Sequence, residues 1–123
     1  MKLATGIDLI EVERVQATIA RHGEHFLRRV FTSQELDDCQ GKPASLAARF
    51  AAKEAAAKAL GTGIGEVGWL EIEIRTGQAR EPVLHLYGRA ARLATELGLQ
   101  AWSISLSHTH SHAIAAVIAL GSE

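Results

Sequence analysis

Three groups of side chains in this sequence have types and spacings that suit chemistry. Asp8 closes a short run of small and β-branched residues, and the tripeptide Ser107–Thr109 follows an alternating stretch near the other end. Four charged residues share one alanine-rich segment: Arg49, Lys53, Glu54 and Lys58. Carboxylates bind hard divalent cations, and lysine and arginine bind phosphate groups. The combination indicates a metal-assisted reaction on a phosphorylated substrate.

Each carboxylate also has an ordinary structural interpretation. A lone aspartate at a strand end is commonly a cap or a turn former, and Glu54 with Lys58 is an i, i+4 pair that contributes only ~0.2–0.5 kcal/mol on an exposed helix. Glu54, however, shares its helical stripe with Phe50 and Ala47, which places it at the margin of the buried face. A carboxylate in that position needs a partner.

We favour Asp8 and Glu54 as a pair of Mg²⁺ ligands, because Mg²⁺ usually takes one or two carboxylates and completes its shell with waters and phosphate oxygens. Three cations on the same alanine-rich segment would then surround the phosphate: Arg49, Lys53 and Lys58. The following segment Gly61–Gly65 exposes backbone N–H groups, but it lacks the GxxxxGK[ST] spacing. A P-loop is therefore excluded.

The histidines at 108, 110 and 112 alternate, which on one continuous strand would put three imidazoles on one face and suggest a transition-metal site. Thr109–Ser111 lies where a hairpin is expected to turn, so the rings need not converge, and we favour a polar rim over a metal site. Trp69 and Trp102 are predicted in the core rather than as stacking platforms.

The first half of the chain predicts one strand and then helices. Leu3–Ile10 is predicted as a strand that ends near Asp8, and helical spacing follows it with a break at His22-Gly23. The capping-box pattern Thr32–Glu35 opens a short acidic helix. The strongest predicted helix is Ala44–Leu60, whose nine alanines let other backbones approach closely.

The second half predicts mainly strands. Leu70, Ile72 and Ile74 alternate with Glu71, Glu73 and Arg75, which is typical of a strand with one buried face. The remaining predictions are a strand at Val83–Tyr87, a helix at Arg89–Leu97, and an antiparallel hairpin of Trp102–Leu106 with Ala113–Leu120. We expect an α+β fold in which a small antiparallel sheet packs against the long alanine-rich helix, in a single domain of residues 1–123.

Composition excludes several functional classes. The chain has 123 residues, 47% of them hydrophobic, and 13 Lys and Arg against 14 Asp and Glu, for a net charge of −1. This balance argues against a nucleic-acid binder that works by bulk charge, and the longest apolar run, Ala113–Leu120, is too short for a membrane span. Cys39 is the single cysteine, so an intrachain disulfide is excluded and a cytoplasmic location fits best.

Three segments, taken together and in order, resemble one enzyme family. They are Gly6–Val12 with Arg14, then Arg49–Ile64 (RFAAKEAAAKALGTGI), then Ser105–Thr109 (SLSHT). In this combination the chain resembles holo-[acyl-carrier-protein] synthase, the small type of 4′-phosphopantetheinyl transferase. The segments cover both ends and the middle of the chain, whereas Val67–Ala101 adds little.

The resemblance implies transfer of 4′-phosphopantetheine from coenzyme A to a serine of apo acyl carrier protein, with release of adenosine 3′,5′-bisphosphate, in fatty acid or polyketide biosynthesis. It implies the fold of that family, a requirement for Mg²⁺, and a homotrimer with a site at each subunit interface. By motif, the metal ligands are Asp8 and Glu54, and the carrier-docking residues are Arg14 and Arg21. The catalytic residues are Glu54, Lys58 and His108.

The resemblance also implies a coenzyme A site, which consists of Arg49, Lys53, Lys58, Gly61, Gly63, Ile64, Ser107, His108 and Thr109. The contacts to the 3′-phosphate stay unassigned, because Ala44–Ala48 contains no basic residue. The base that accepts the serine proton is either Glu54, through a metal-bound water, or His108.

Two other functions compete with this one. A non-catalytic trimeric module that binds coenzyme A would keep the fold, but it does not require Asp8, Glu54, Lys58 and His108 together. A structural oligomerisation domain would explain the alanine-rich helix, but it gives no reason for Asp8. The sequence does not identify the preferred carrier, or whether acylated coenzyme A is accepted.

Overall fold

The computed structural model describes residues 1–122 and confirms the α+β arrangement. In chain order the elements are β1 (Lys2–Glu11), α1 (Val12–His22), α2 (Glu24–Val30), α3 (Ser33–Cys39), α4 (Pro43–Ala59), a 3₁₀ turn (Trp69–Glu71), β2 (Ile72–Thr76), β3 (Pro82–Leu86), α5 (Gly88–Glu96), β4 (Leu99–His108) and β5 (His112–Gly121).

The strands form two antiparallel sheets. The larger has the order β1-β5-β4, so the two ends of the chain pair with each other and β1 is an edge strand. Asp8 lies opposite Ala115 of β5, and His108 of β4 lies opposite Ala113 of the same strand. β2 and β3 form a separate two-stranded sheet.

Helix α4 packs against one face of the larger sheet. Pro43 occupies its first turn, where a missing N–H costs nothing, and its alanines from Ala47 to Ala59 are buried. The capping box predicted at Thr32 and Glu35 is present at the start of α3. The small side chains of α4 meet the inner face of the sheet, so β1 is held directly on this helix.

The opposite face of the larger sheet is apolar and exposed. Leu3, Ile7 and Leu9 of β1 are about 60% exposed (64%, 59% and 62%), and Ile118 of β5 is 51% exposed. Alternation along each strand puts these residues on the side away from α4. The alanines of α4 are therefore used inside the chain, and the apolar surface that is free for another protein is this outer sheet face.

Three predictions from the sequence are wrong in detail. β1 continues three residues beyond Asp8, so Asp8 lies within the strand and not at its end. Leu70 lies in the 3₁₀ turn and is 47% exposed. Glu73 is buried rather than solvent-facing, because its carboxylate accepts hydrogen bonds from Thr32 Oγ1, Arg75 Nε and Tyr87 Oη.

Candidate active site

A cleft of about 510 Å³ lies where β1, α1, α2 and α4 meet. Its charged lining residues are the carboxylates Asp8 and Glu54 and the guanidinium groups Arg14 and Arg29. Its apolar lining includes Phe26, Phe50 and Trp69. The cleft therefore combines two predicted metal ligands with an apolar wall. We call it the Asp8 cleft.

Asp8 and Lys58 are in direct contact. The Lys58 Nζ donates to Asp8 Oδ1 at 3.1 Å and to the Ile7 carbonyl at 2.9 Å. The Lys58 side chain is 52% exposed and that of Asp8 is 20% exposed, so the ammonium group lies at the edge of the cleft, accessible to an anion. The structure thus brings together a carboxylate and a cation that are 50 residues apart in the chain.

Glu54 lies one helical turn before Lys58 and is half-buried. Burial raises the pKa of its carboxyl above the usual range, and the negative charge of Asp8 raises it further, whereas Lys58 lowers it. Asp8 and Glu54 are therefore close enough for each charge to disfavour the other. Two adjacent carboxylates of this kind attract a divalent cation.

The donor chemistry at this point suits Mg²⁺. Among residues 1–122 no group of three or more His, Cys, Asp and Glu side chains is placed to hold a metal ion. The protein therefore offers a pair of hard oxygen ligands rather than a closed cage. That arrangement fits Mg²⁺, which is usually bound through one or two carboxylates and keeps several waters and substrate phosphate oxygens.

Lys53 does not lie at this site, and the prediction that it contacts coenzyme A is wrong. Its side chain is 0% exposed. The ammonium group donates to the Trp69 carbonyl at 2.9 Å and the Ile72 carbonyl at 2.5 Å, and it pairs with Glu35 Oε1 at 2.7 Å. These partners use all three of its donors. Lys53 is the residue before Glu54, but about 100° of helical rotation turns it into the interior.

Arg49 also points away from the Asp8 cleft. Its Nε donates to the Ile74 carbonyl at 3.3 Å and its Nη2 to Thr76 Oγ1 at 2.9 Å, and the side chain is 10% exposed. Asp38 of α3 lies 3.9 Å from Nη2. Within one chain Arg49 therefore joins α4 to β2 and α3, and the structure does not bring it to Asp8.

The segment Ser107–Thr109 lies at the far edge of the larger sheet. Asp8 and His108 are on strands that flank β5 and are offset by two residues along it, which puts their Cα atoms on the order of 12 Å apart. His108, Thr109 and His110 instead line a second cleft of about 720 Å³, with Glu11 and Ala44. We call it the His108 cleft. A single chain does not bring His108 to Glu54.

The three alternating histidines do not share one strand. β4 ends at His108 and β5 begins at His112, so His110 lies in the turn between them. His112 Nδ1 lies 2.8 Å from Ser111 Oγ. The interpretation as a polar rim of the His108 cleft fits this arrangement.

The glycine-rich segment forms the turn directly after α4. Gly61 and Gly63 have φ angles of +77° and +147°, in the region that favours glycine, and a Cβ at either position would meet open space. The Gly61 N–H donates to the Lys58 carbonyl at 2.9 Å. Ile64 packs on the core. The turn lines neither the Asp8 cleft nor the His108 cleft.

Arg14 and Arg21 lie seven residues apart on α1, and both are exposed. Arg14 lines the Asp8 cleft, whereas Arg21 lies one residue from the end of the helix and outside the cleft lining. Arg29 of α2 also lines the cleft, and the sequence reasoning missed it. No local signal separates Arg29 from Arg28, because its position depends on how α2 packs.

The aromatic wall of the Asp8 cleft was also missed. Trp69 is half-buried and its ring centroid lies 4.7 Å from that of Phe50, which in turn lies 6.4 Å from Phe26. The prediction that Trp69 is a core residue is therefore only partly right, since this half-buried residue also lines the cleft. Phe50 and Trp69 come from separate elements, so their stacking has no signal in the sequence.

Comparisons with known proteins identify a family for this chain. Residues 4–117 match the model of the 4′-phosphopantetheinyl transferase superfamily. A holo-[acyl-carrier-protein] synthase of Herpetosiphon aurantiacus is 47% identical over 97% of this chain and 99% of its own.

Solved structures agree as well. A Helicobacter pylori holo-[acyl-carrier-protein] synthase in complex with coenzyme A is similar with a TM-score of 0.87 and 33% identity, over 94% of this chain and 99% of that chain. A Bacillus anthracis holo-(acyl-carrier-protein) synthase in complex with CoA (3′,5′-ADP) has a TM-score of 0.79 and 33% identity, over 97% and 96% of the two chains.

Proposed function

Because the chain belongs to the 4′-phosphopantetheinyl transferase superfamily, we propose that it is a holo-[acyl-carrier-protein] synthase. It transfers the 4′-phosphopantetheine group from coenzyme A to a serine of apo acyl carrier protein. The serine oxygen forms a bond to the phosphorus that carries pantetheine, while the bond from this phosphorus to the bridging oxygen breaks and adenosine 3′,5′-bisphosphate leaves. The observation that carries the proposal is the Asp8, Glu54 and Lys58 cluster at the Asp8 cleft.

The proposed metal ligands are Asp8 and Glu54. When bound there, Mg²⁺ supplies Lewis-acid stabilisation of the negative charge that grows on the pyrophosphate oxygens. Lys58 has a role of its own, since its half-exposed ammonium group is placed to hold a pyrophosphate oxygen. Before the substrate binds, Asp8 and the Ile7 carbonyl hold this group in place, which limits the reorganisation that the reaction needs.

Two residues are candidates for the base that accepts the serine proton. Glu54 has a pKa above its usual range because of burial and the charge of Asp8, which brings it closer to the value of an effective base. His108 is exposed, but it needs a second copy of the chain to reach Glu54. The distance between the two clefts therefore favours Glu54 within one chain.

We propose a homotrimer in which the Asp8 cleft of one copy faces the His108 cleft of a neighbour. The exposed Leu3, Ile7, Leu9 and Ile118 on the outer sheet face support this proposal, because an apolar face of this kind usually marks an interface between proteins. In that assembly the coenzyme A site combines Lys58 and the turn Gly61–Ile64 with Ser107, His108 and Thr109 of another copy.

The carrier protein is proposed to dock on α1. We take the acyl carrier protein to be an acidic partner. The net charge of −1 on this chain gives no general attraction to such a partner. Arg14 and Arg21 provide a local positive patch beside the Asp8 cleft instead. The role in fatty acid biosynthesis and the cytoplasmic location stay predictions from the sequence. No helix within residues 1–122 is long and apolar enough to cross a membrane.

One assay tests the function. The protein is incubated with coenzyme A, Mg²⁺ and a purified apo acyl carrier protein, and the carrier is then weighed by mass spectrometry. We expect a mass gain of one phosphopantetheine group on the carrier serine, dependent on Mg²⁺. Binding of coenzyme A without any mass gain would instead identify the non-catalytic module.

A further inference from the structure

The buried ion pair between Lys53 and Glu35 has no part in the reaction described above. Both side chains are 0% exposed, and their charged atoms lie 2.7 Å apart. Glu35 also accepts hydrogen bonds from the Thr32 N–H at 2.9 Å and the Ile74 N–H at 2.8 Å. The pair thus connects α3, α4 and β2 at a single point.

The same pair reaches the wall of the Asp8 cleft. Lys53 donates to the carbonyl of Trp69, and the Trp69 ring packs against Phe50 with centroids 4.7 Å apart and ring planes tilted by 35°. Phe50 and Glu54 are one turn apart on α4, and both line the cleft with Trp69. The backbone that carries the indole is therefore tied to the helix that carries the carboxylate.

A buried ion pair is a weak source of stability. Removal of two charges from water costs several kcal/mol per ion, and well-packed apolar residues in their place are often neutral or stabilising. The Trp69 carbonyl already accepts the Ile72 N–H that closes the 3₁₀ turn, and the Lys53 ammonium group is a second donor to the same oxygen, which ties this turn to α4. The hydrogen bonds of Lys53 therefore account for the position of the Trp69 backbone better than they account for the stability of the fold.

We propose that Lys53, held by Glu35, is a positioning residue that fixes Trp69 against Phe50 and so sets the apolar wall on which the carrier protein docks beside Glu54. The proposal rests on the proposed function for the identity of the partner. The proposed occupant of the wall is the apolar side of the carrier segment that presents the serine, because Arg14 lines the same cleft and complements acidic groups of that segment.

The test uses the double variant Lys53→Met/Glu35→Gln, which removes both charges and leaves no unpaired ion in the interior. Trp102→Phe in both backgrounds makes Trp69 the single tryptophan, since the sequence has two. We expect unchanged circular dichroism, acrylamide quenching of Trp69 raised about twofold, and a KM for apo carrier protein raised about tenfold with kcat within about threefold. Glu73→Gln is the matched control, because this buried carboxylate bonds Thr32, Arg75 and Tyr87 and not the cleft wall.

Two results would overturn the proposal. One is a folded double variant with the quenching and KM of the parent, and the other is a change in KM of the same size in Glu73→Gln. Trp69→Ala leaves the ion pair in place, so it tests the role of the wall even if the double variant does not fold. It should raise the same KM with little change in kcat, and an unchanged KM would show that the wall is not used. If the parent protein transfers nothing, the proposed function fails, whereas the quenching result still reports on the position of Trp69.

Discussion

Gly6 of β1 lies directly against the carbonyl oxygen of Ala55 on α4. A Cβ added at position 6 would be 1.8 Å from that oxygen, a separation that no side chain tolerates. This contact sets how closely β1 approaches the helix. Gly6 lies two residues before Asp8, and Ala55 lies one residue after Glu54. The two proposed metal ligands are therefore brought together by a glycine and an alanine that have no chemistry of their own.

Gly6→Ala should separate β1 from α4. We expect a loss of about 3 kcal/mol in the free energy of unfolding, because the clash is with backbone rather than with a flexible side chain. Urea denaturation measures this change in the free energy of unfolding. Gly68→Ala is the control, since a Cβ there meets only the Glu71 side chain at 3.5 Å and should change stability by less than about 1 kcal/mol. Equal stabilities for the two variants would contradict the close approach.

Asp8→Asn and Glu54→Gln should each abolish Mg²⁺-supported transfer and leave the fold intact. Each substitution removes one of two negative charges at the proposed site for a divalent cation. Carrier mass after incubation measures the activity, and circular dichroism checks the fold. Near-normal turnover at saturating Mg²⁺ in either variant would remove that residue from the metal site.

The pKa of Glu54 should respond in opposite directions to its two charged neighbours. Asp8→Asn should lower it, because the Asp8 charge raises it, and Lys58→Met should raise it, because the ammonium group lowers it. Carboxyl ¹³C NMR titration of the metal-free protein measures both changes. If neither variant shifts the titration, Glu54 does not share its site with Asp8 and Lys58.

The same raised pKa fixes the sign of a stability effect. A carboxyl whose folded pKa exceeds its unfolded pKa stabilises the fold below the unfolded value, and this contribution is lost as the pH rises through the folded value. Asp8→Asn should reduce this pH-dependent loss of stability, because it removes the charge that helps to raise the pKa of Glu54. Denaturant midpoints across the acid range, compared with the parent protein, measure the difference.

Arg14→Glu and Arg21→Glu should raise the KM for apo carrier protein and weaken its dependence on salt. Charges at a docking surface act mainly on association and are screened over ~8 Å at physiological ionic strength. Coenzyme A binding should barely change. Arg92→Glu on α5 is the control, because this exposed arginine lies on an element that lines neither the Asp8 cleft nor the His108 cleft. An unchanged KM in both α1 variants would mean that the carrier docks elsewhere.

Ile118→Lys should convert the proposed trimer to monomers and abolish transfer. Ile118 is 51% exposed on the outer sheet face, so in a monomer a lysine there is harmless, whereas in an interface it buries a charge. Sedimentation velocity measures the assembly. Leu70→Lys is the control, at 47% exposure in the 3₁₀ turn. A parent protein that is monomeric and active would refute both the trimer and the shared site.

Most of the helices and strands, and the residue types at the Asp8 cleft, were predictable from local sequence patterns. Local signals were sufficient for the capping box at Thr32, for the start of α4 at Pro43 and for the antiparallel hairpin of β4 and β5, because each depends on residues close together in the chain. The types of Asp8, Glu54 and Lys58 were likewise enough to suggest a metal and a phosphate.

Contacts between distant segments determine which charged residues of α4 lie at the Asp8 cleft. Glu54 and Lys58 face β1, whereas Lys53 is bound by Glu35 and two carbonyl groups, and Arg49 by β2. A helical stripe gives the angle of each side chain but not the element that packs there. Three other features also depend on contacts between segments that are distant in sequence. They are the burial of Glu73, the packing of Trp69 against Phe50 and the separation of His108 from Glu54.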